Sequence, residues 1–230
     1  MSAAYLSLLL ADGRLPTGAH TQSGGVEPAL HAGMSLAEVP HYLRVRLRTV
    51  TETEAGTAVL ARAAWLAAEP GHRTGPLTVL DQAWRARTPS DALRDAADLL
   101  GRSYLRMAAA VWDLDELVGP AAGPGPARRV WCRAVVVGVT AAVAGLSTVE
   151  TARLVAFEDV QTVLAAALKL VPFDPSHGVA WAAAAEPEVE RLVASVAGLT
   201  APDELPAHSA PLIEQWGQLH RETERRLFRA

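Results

Sequence analysis

Residues 8–30, LLLADGRLPTGAHTQSGGVEPAL, join two apolar runs through a turn too specific to be a linker. Asp12-Gly13 ends the first run, and Val26-Glu27-Pro28 leads into the second. Between them, Pro16 fixes φ while Gly18, Gly24 and Gly25 admit positive φ, so the sequence describes a shaped loop between two helices. Two nucleotide and nucleophile motifs come close and fail. Gly13 and Gly18 have the glycine spacing of a phosphate-binding loop, but Ala19-His20 stands where that loop needs Lys-Ser/Thr. Thr21-Gln22-Ser23-Gly24-Gly25 lacks the first glycine of a G-x-S-x-G elbow, which leaves Ser23 as a turn hydroxyl.

Outward from this loop the patterns are helical. Residues 3–11 are apolar on nearly every side, which suits a buried helix or an assembly contact. Ser35 and Glu38 have capping-box spacing and open a helix carrying Leu43, Leu47 and Val50, which continues through Val59 and Leu66 to a stop at Glu69-Pro70-Gly71. A short helix is predicted over 77–87. Ser90-Asp91 then caps a long one with Leu93, Ala97, Leu100, Tyr104, Met107 and Val111 on one face. Residues 119–127 form a Pro/Gly loop within the bundle. The Val/Ala-rich run 130–144 reads as central, and Ser147/Glu150 is a second capping box for a helix reaching Lys169. Helices from about His177 and Glu186 follow, then an exposed loop over 200–211 with three prolines. The last helix carries Leu212, Trp216, Leu219 and Leu227 on one stripe, read as its core side. No sustained period-two alternation marks a strand. The fold is read as all-α: one helical domain spanning 1–230, with roughly eight to ten helices.

Composition narrows function. Half of the 230 residues are apolar and a fifth are charged, which suits a helical globule. A net charge of −4 speaks against nucleic acid as the main partner. Lys169 is the only lysine among 21 basic residues. Cys132, the only cysteine, lies in an apolar run and reads as a buried structural thiol. Seven scattered histidines form no metal clip, and no cofactor is implied. No apolar segment is long enough to span a membrane and no secretory signal is visible, so a soluble cytoplasmic protein is predicted. Asp113, Asp115 and Glu116 are the one acidic cluster of a kind that binds magnesium in helical diphosphate enzymes. No second cluster completes such a site, so a solvated helix end is the preferred reading and a magnesium-dependent all-α enzyme the alternative.

Pro16, Thr17, Gly18, Ala19, Ser23, Gly25, Val26 and Glu27 fit in register the N-terminal signature L-P-[TI]-G-[AG]-aromatic-x-x-S-x-G-[LV]-E. The C-terminal run from His220 through Arg226, Leu227 and Phe228 is similar to H-E-x-x-x-x-R-L-F. Both motifs are those of the UreF family of urease accessory proteins, which the chain resembles along nearly its whole length. His20 replaces the signature's aromatic, and Phe173-Asp174-Pro175 replaces the family's Leu-Gly-Gln. The resemblance implies an all-α, dimeric, non-catalytic adaptor. Such an adaptor binds the UreD (UreH) accessory protein and recruits and regulates the nickel-carrying GTPase UreG, so that nickel reaches apo-urease. The residues it implicates in partner binding are Pro16, Gly18, His20, Ser23, Gly25, Glu27, Lys169, His220, Arg226, Leu227 and Phe228. The tail at 226–228 is expected to dock on UreD, and Lys169 and His20 to face the GTPase. Glu27 is expected to cap the first turn of its own helix.

Overall fold

The computed structural model describes residues 1–119, 129–222 and 227–228. Twelve α-helical segments appear among them, ten of eight residues or longer, and no strand. Residues 120–128, nearly all of the expected Pro/Gly loop, and Arg226 lie outside the described residues.

The centre is a close crossing of α4 (Val50–Ala67) and α8 (Arg133–Val143). Every residue from Ala134 to Ala142 is buried, and Ala55, Ala58 and Ala61 of α4 are inaccessible to solvent. A Cβ at Gly138 would run into the Ala58 carbonyl, so the alanine-rich composition serves short helix-to-helix distances. Around this pair pack α5 (Thr74–Ala86), α6 (Asp91–Ala108), α9 (Thr148–Leu170) and α11 (Glu186–Val196). Ser90 caps α6 by accepting the Leu93 amide, and Ser147 and Glu150 form the expected capping box on α9. Asp174 caps α10 (Pro175–Ala184) by accepting the Ser176 amide at 2.8 Å, so the Asp-Pro pair opens that helix.

Four local expectations are corrected. The helix expected from Ser35 to Leu66 is two, α3 (Val39–Leu47) and α4, because Thr49 leaves the helical region (φ −134°, ψ −98°). Its hydroxyl donates to the Val45 carbonyl at 2.7 Å, closing the end of α3. The inward face of α6 is Ala92, Ala97, Gly101, Tyr104 and Ala108, while Val111 is exposed; small residues let α6 approach the Trp131–Cys132 backbone. In α12 (Pro211–Glu222) the buried side is Ile213, Gly217 and His220. Leu212 and Leu219 point to solvent, so the leucine stripe is not the core face. The 200–211 loop is partly docked: Leu205 is buried and packs on Gly56 of α4. None of the described helices is long and apolar enough to cross a membrane.

Candidate functional site

The signature loop follows α1 (Ala3–Leu10) and precedes α2 (Val26–His31). Gly18, Gly24 and Gly25 all have positive φ (84°, 59° and 78°). At Gly25 space is also decisive, since a Cβ would stand 2.6 Å from the Tyr42 hydroxyl oxygen. That hydroxyl donates to the Gly24 carbonyl at 2.7 Å, and Ser23 Oγ accepts the Gly25 amide at 3.2 Å. Burial pushes Tyr42 up to about 12, so it stays a donor. The loop is thereby pinned on α3, while Gly18 rests against Leu100 and Ser103 of α6.

Glu27 does not cap its own helix. Its buried carboxylate accepts the amides of Leu227 (2.6 Å) and Phe228 (2.9 Å) from the other end of the chain. His220 Nε2 lies 3.1 Å from the Phe228 carbonyl oxygen and 3.3 Å from the Glu27 carboxylate. A carboxylate at the start of α2 therefore satisfies tail amides that water would otherwise have to reach. Phe228 is 4% exposed and packs on its own chain, with the Lys169 ammonium 5.4 Å from its ring centre.

Between this loop, α6 and α9 lies a cleft of about 530 Å³. His20, Gly25, Lys169 and Phe228 line it, and its apolar wall is Leu93, Ala97 and Leu100 of α6. The floor is charged. Arg46 binds Asp159 through two nitrogens (3.0 and 2.5 Å), and Thr51 donates to the same carboxylate at 2.8 Å. Arg133 bridges Glu54 (2.7 Å) and Glu158 (2.6 Å). Burial pushes Asp159 up, but the Arg46 guanidinium and the Thr51 hydroxyl outweigh it and hold the group below its ordinary range. At Glu158 burial wins over Arg133, and the carboxyl lies above its ordinary range. The Tyr104 hydroxyl is buried without a hydrogen-bond partner among the described residues.

Sequence reasoning brought His20, Gly25, Lys169 and Phe228 to this site and missed its floor. The available signal was the charge of Arg46 between Leu43 and Leu47, and of Glu158-Asp159 between Val155 and Val160, on otherwise apolar faces. The side chains of Ser23, Glu27, His220 and Phe228 are buried inside the chain, with Phe228 also at the cleft wall. Pro16 and His20 are exposed, as is Lys169. The acidic cluster does not converge: Glu116 accepts the amides of Gly71 (3.1 Å) and Arg73 (2.7 Å), and Asp113 that of Asp115 (3.3 Å). No group of three His, Cys, Asp or Glu side chains among the described residues is placed to hold a metal ion. Cys132 is fully buried, and burial pushes its thiol well up, in keeping with a structural role.

The UreF family model matches residues 35–186. The urease accessory protein UreF of Mycolicibacterium vanbaalenii is 35% identical over 230 residues, covering 99% of both chains. That of Mycobacterium marinum is 34% identical at the same coverage. The chain belongs to the UreF family. UreF of Mycobacterium tuberculosis is 34% identical over 182 residues, 77% of each chain. The model's match stops short of both terminal motifs, which the full-length similarity to the first two relatives does include. Membership places the chain in urease maturation. The cleft, lined by the signature loop and Phe228 together with α6 and α9, is then a part of this UreF-family protein to which both motifs contribute.

Proposed function

We propose that this protein is an adaptor of urease maturation that binds the UreD accessory protein and recruits and regulates the GTPase UreG, so that nickel is delivered to apo-urease. It acts as a homodimer in that assembly. The observation that carries this reading is the outward apolar line of the C-terminal segment. Leu212, Leu219 and Leu227 are 60%, 54% and 64% exposed, while the other side of α12 is already packed. Three exposed leucines near the C-terminal end suit contact with a protein partner. UreD docks there, on the outer side of the tail that Glu27 holds in place. His20 and Lys169, exposed at the mouth of the cleft, meet UreG.

Co-purification tests the first contact. L212D/L219D should lose UreD and keep its helix content, because exposed sites of this kind shift stability by only about 0.5 kcal/mol. Retention of UreD by the double variant would refute the assignment of that face.

A further inference from the structure

Leu15 and Pro16 line a second cavity, distinct from the cleft. It is a groove of about 450 Å³ between α1 and the C-terminal end of α6, walled by Leu9, Leu15, Pro16, Met107, Val111 and Trp112. The apolar surface continues onto the outer face of α1, where Tyr5 and Leu8 are 59% and 75% exposed. The apolar N-terminal run singled out in the sequence is thus only partly used by the core: Leu6 and Leu10 go in and Leu9 is half-buried against it, while Tyr5 and Leu8 face outward. Arg106 lies on the rim of the groove and Arg102 one helical turn before it, both exposed. Neither forms an ion pair or hydrogen bond among the described residues. Among the described arginines, Arg46, Arg85, Arg133 and Arg191 are engaged with carboxylates and Arg62 and Arg87 with carbonyls, whereas exposed Arg44 is unpaired like Arg102 and Arg106. In a chain of net charge −4, these two neighbouring cations give an open apolar groove a positive rim.

We infer that this groove is a docking site for a protein segment that combines apolar side chains with carboxylates. The apolar side chains enter between α1 and α6, and the carboxylates meet Arg102 and Arg106. The surface is separate from the α12 leucine line and from the His20/Lys169 mouth, so it is a further contact beyond those proposed above. Apolar burial supplies the affinity and the arginines supply the charge preference and the approach.

The test uses the full chain and a fluorescein-labelled peptide of sequence Gly-Leu-Leu-Glu-Leu-Glu, with a version carrying lysine for each glutamate, read by anisotropy. The acidic peptide should bind more tightly than the lysine version. Its affinity should fall about tenfold in R102E/R106E, the combined effect of two reversed surface charges, and fall with added salt. R102K/R106K should keep most of the affinity, and V111D should lose it. Thermal unfolding of each variant reports its fold, which exposed unpaired arginines do not support. Absence of binding by the acidic peptide, equal binding of the two peptides, or unchanged affinity in R102E/R106E would overturn the inference. So would concentration-dependent self-association that those arginine substitutions abolish, since the occupant would then be a second copy.

Discussion

Replacing Arg133 by methionine isolates the physics of the cleft floor. The guanidinium holds two carboxylates, Glu54 at 2.7 Å and Glu158 at 2.6 Å, and the three side chains are 13%, 19% and 16% exposed. Methionine keeps much of the volume and leaves two neighbouring anions without a counter-charge. Breaking a buried pair by removing one partner costs about 3–5 kcal/mol, and the solvent that reaches these groups through the cleft lowers that to about 2–4 kcal/mol. At about 3 kcal/mol, and roughly 2–4 °C per kcal/mol for a chain of this size, Tm falls by about 6–12 °C. The loss depends on pH with a definite sign. Glu158 already lies above its ordinary range because burial outweighs Arg133, and without Arg133 it rises further. A carboxyl whose folded pKa exceeds its unfolded value destabilises the fold at high pH, and the penalty disappears as pH falls through the folded pKa. The Tm gap between wild type and R133M is therefore widest near pH ~8 and narrows toward pH ~5, and Glu158→Gln added to R133M recovers part of it at neutral pH. Differential scanning fluorimetry across that range measures it. A gap that stays constant with pH, or a loss below about 2 °C, would refute the account of the floor.

Glu27→Ala removes the acceptor of two tail amides, worth about 1.5–3 kcal/mol each as bonds to a charged group. The effect should be local: limited proteolysis read by mass spectrometry should cleave after residue 220 far faster, and unchanged cleavage would show that the tail is held otherwise. Gly138→Ala forces a methyl into the Ala58 carbonyl and should cost about 3 kcal/mol or more, whereas Gly198→Ala, with nothing within 4 Å, should be nearly neutral in thermal unfolding. His20→Ala and Lys169→Ala should each weaken association with UreG while leaving Tm within about 2 °C of wild type, as expected for exposed side chains. A matched fall in both properties would make those residues structural.

What the sequence disclosed and what it hid divide by range. Caps are local, and Ser90, Ser147 with Glu150, and the Pro-Glu start of α11 could be read from three or four adjacent residues. Facing is not local. On α12 the leucines repeat at helical spacing, but a glycine and a histidine turn inward instead. Gly217 lets the helix approach Leu93 of α6, and His220 is committed to Glu27 and the Phe228 carbonyl. A hydrophobic-stripe argument has no way to rank a glycine that permits contact above a leucine that could make one. The cleft floor was hidden for a different reason. Arg46 and Asp159 are 113 positions apart and Arg133 and Glu54 are 79, so each charge looked like an isolated polar residue on its own helix.

The two terminal motifs were legible as words without their relation being legible. Glu27 explains the relation: its carboxylate is 201 positions from the Phe228 amide it accepts, and neither motif is complete without the other. With alanine at 27 the tail amides lose their acceptor. With the tail absent, a buried carboxylate in α2 loses both amides and retains His220 as a neighbour. Gly25 stands two residues before Glu27, and the missing side chain there is what lets Tyr42 reach the Gly24 carbonyl and fix the start of α2. The chain of dependence therefore runs from a glycine without a Cβ, to the position of one carboxylate, to the seat of the tail whose outer face carries Leu227.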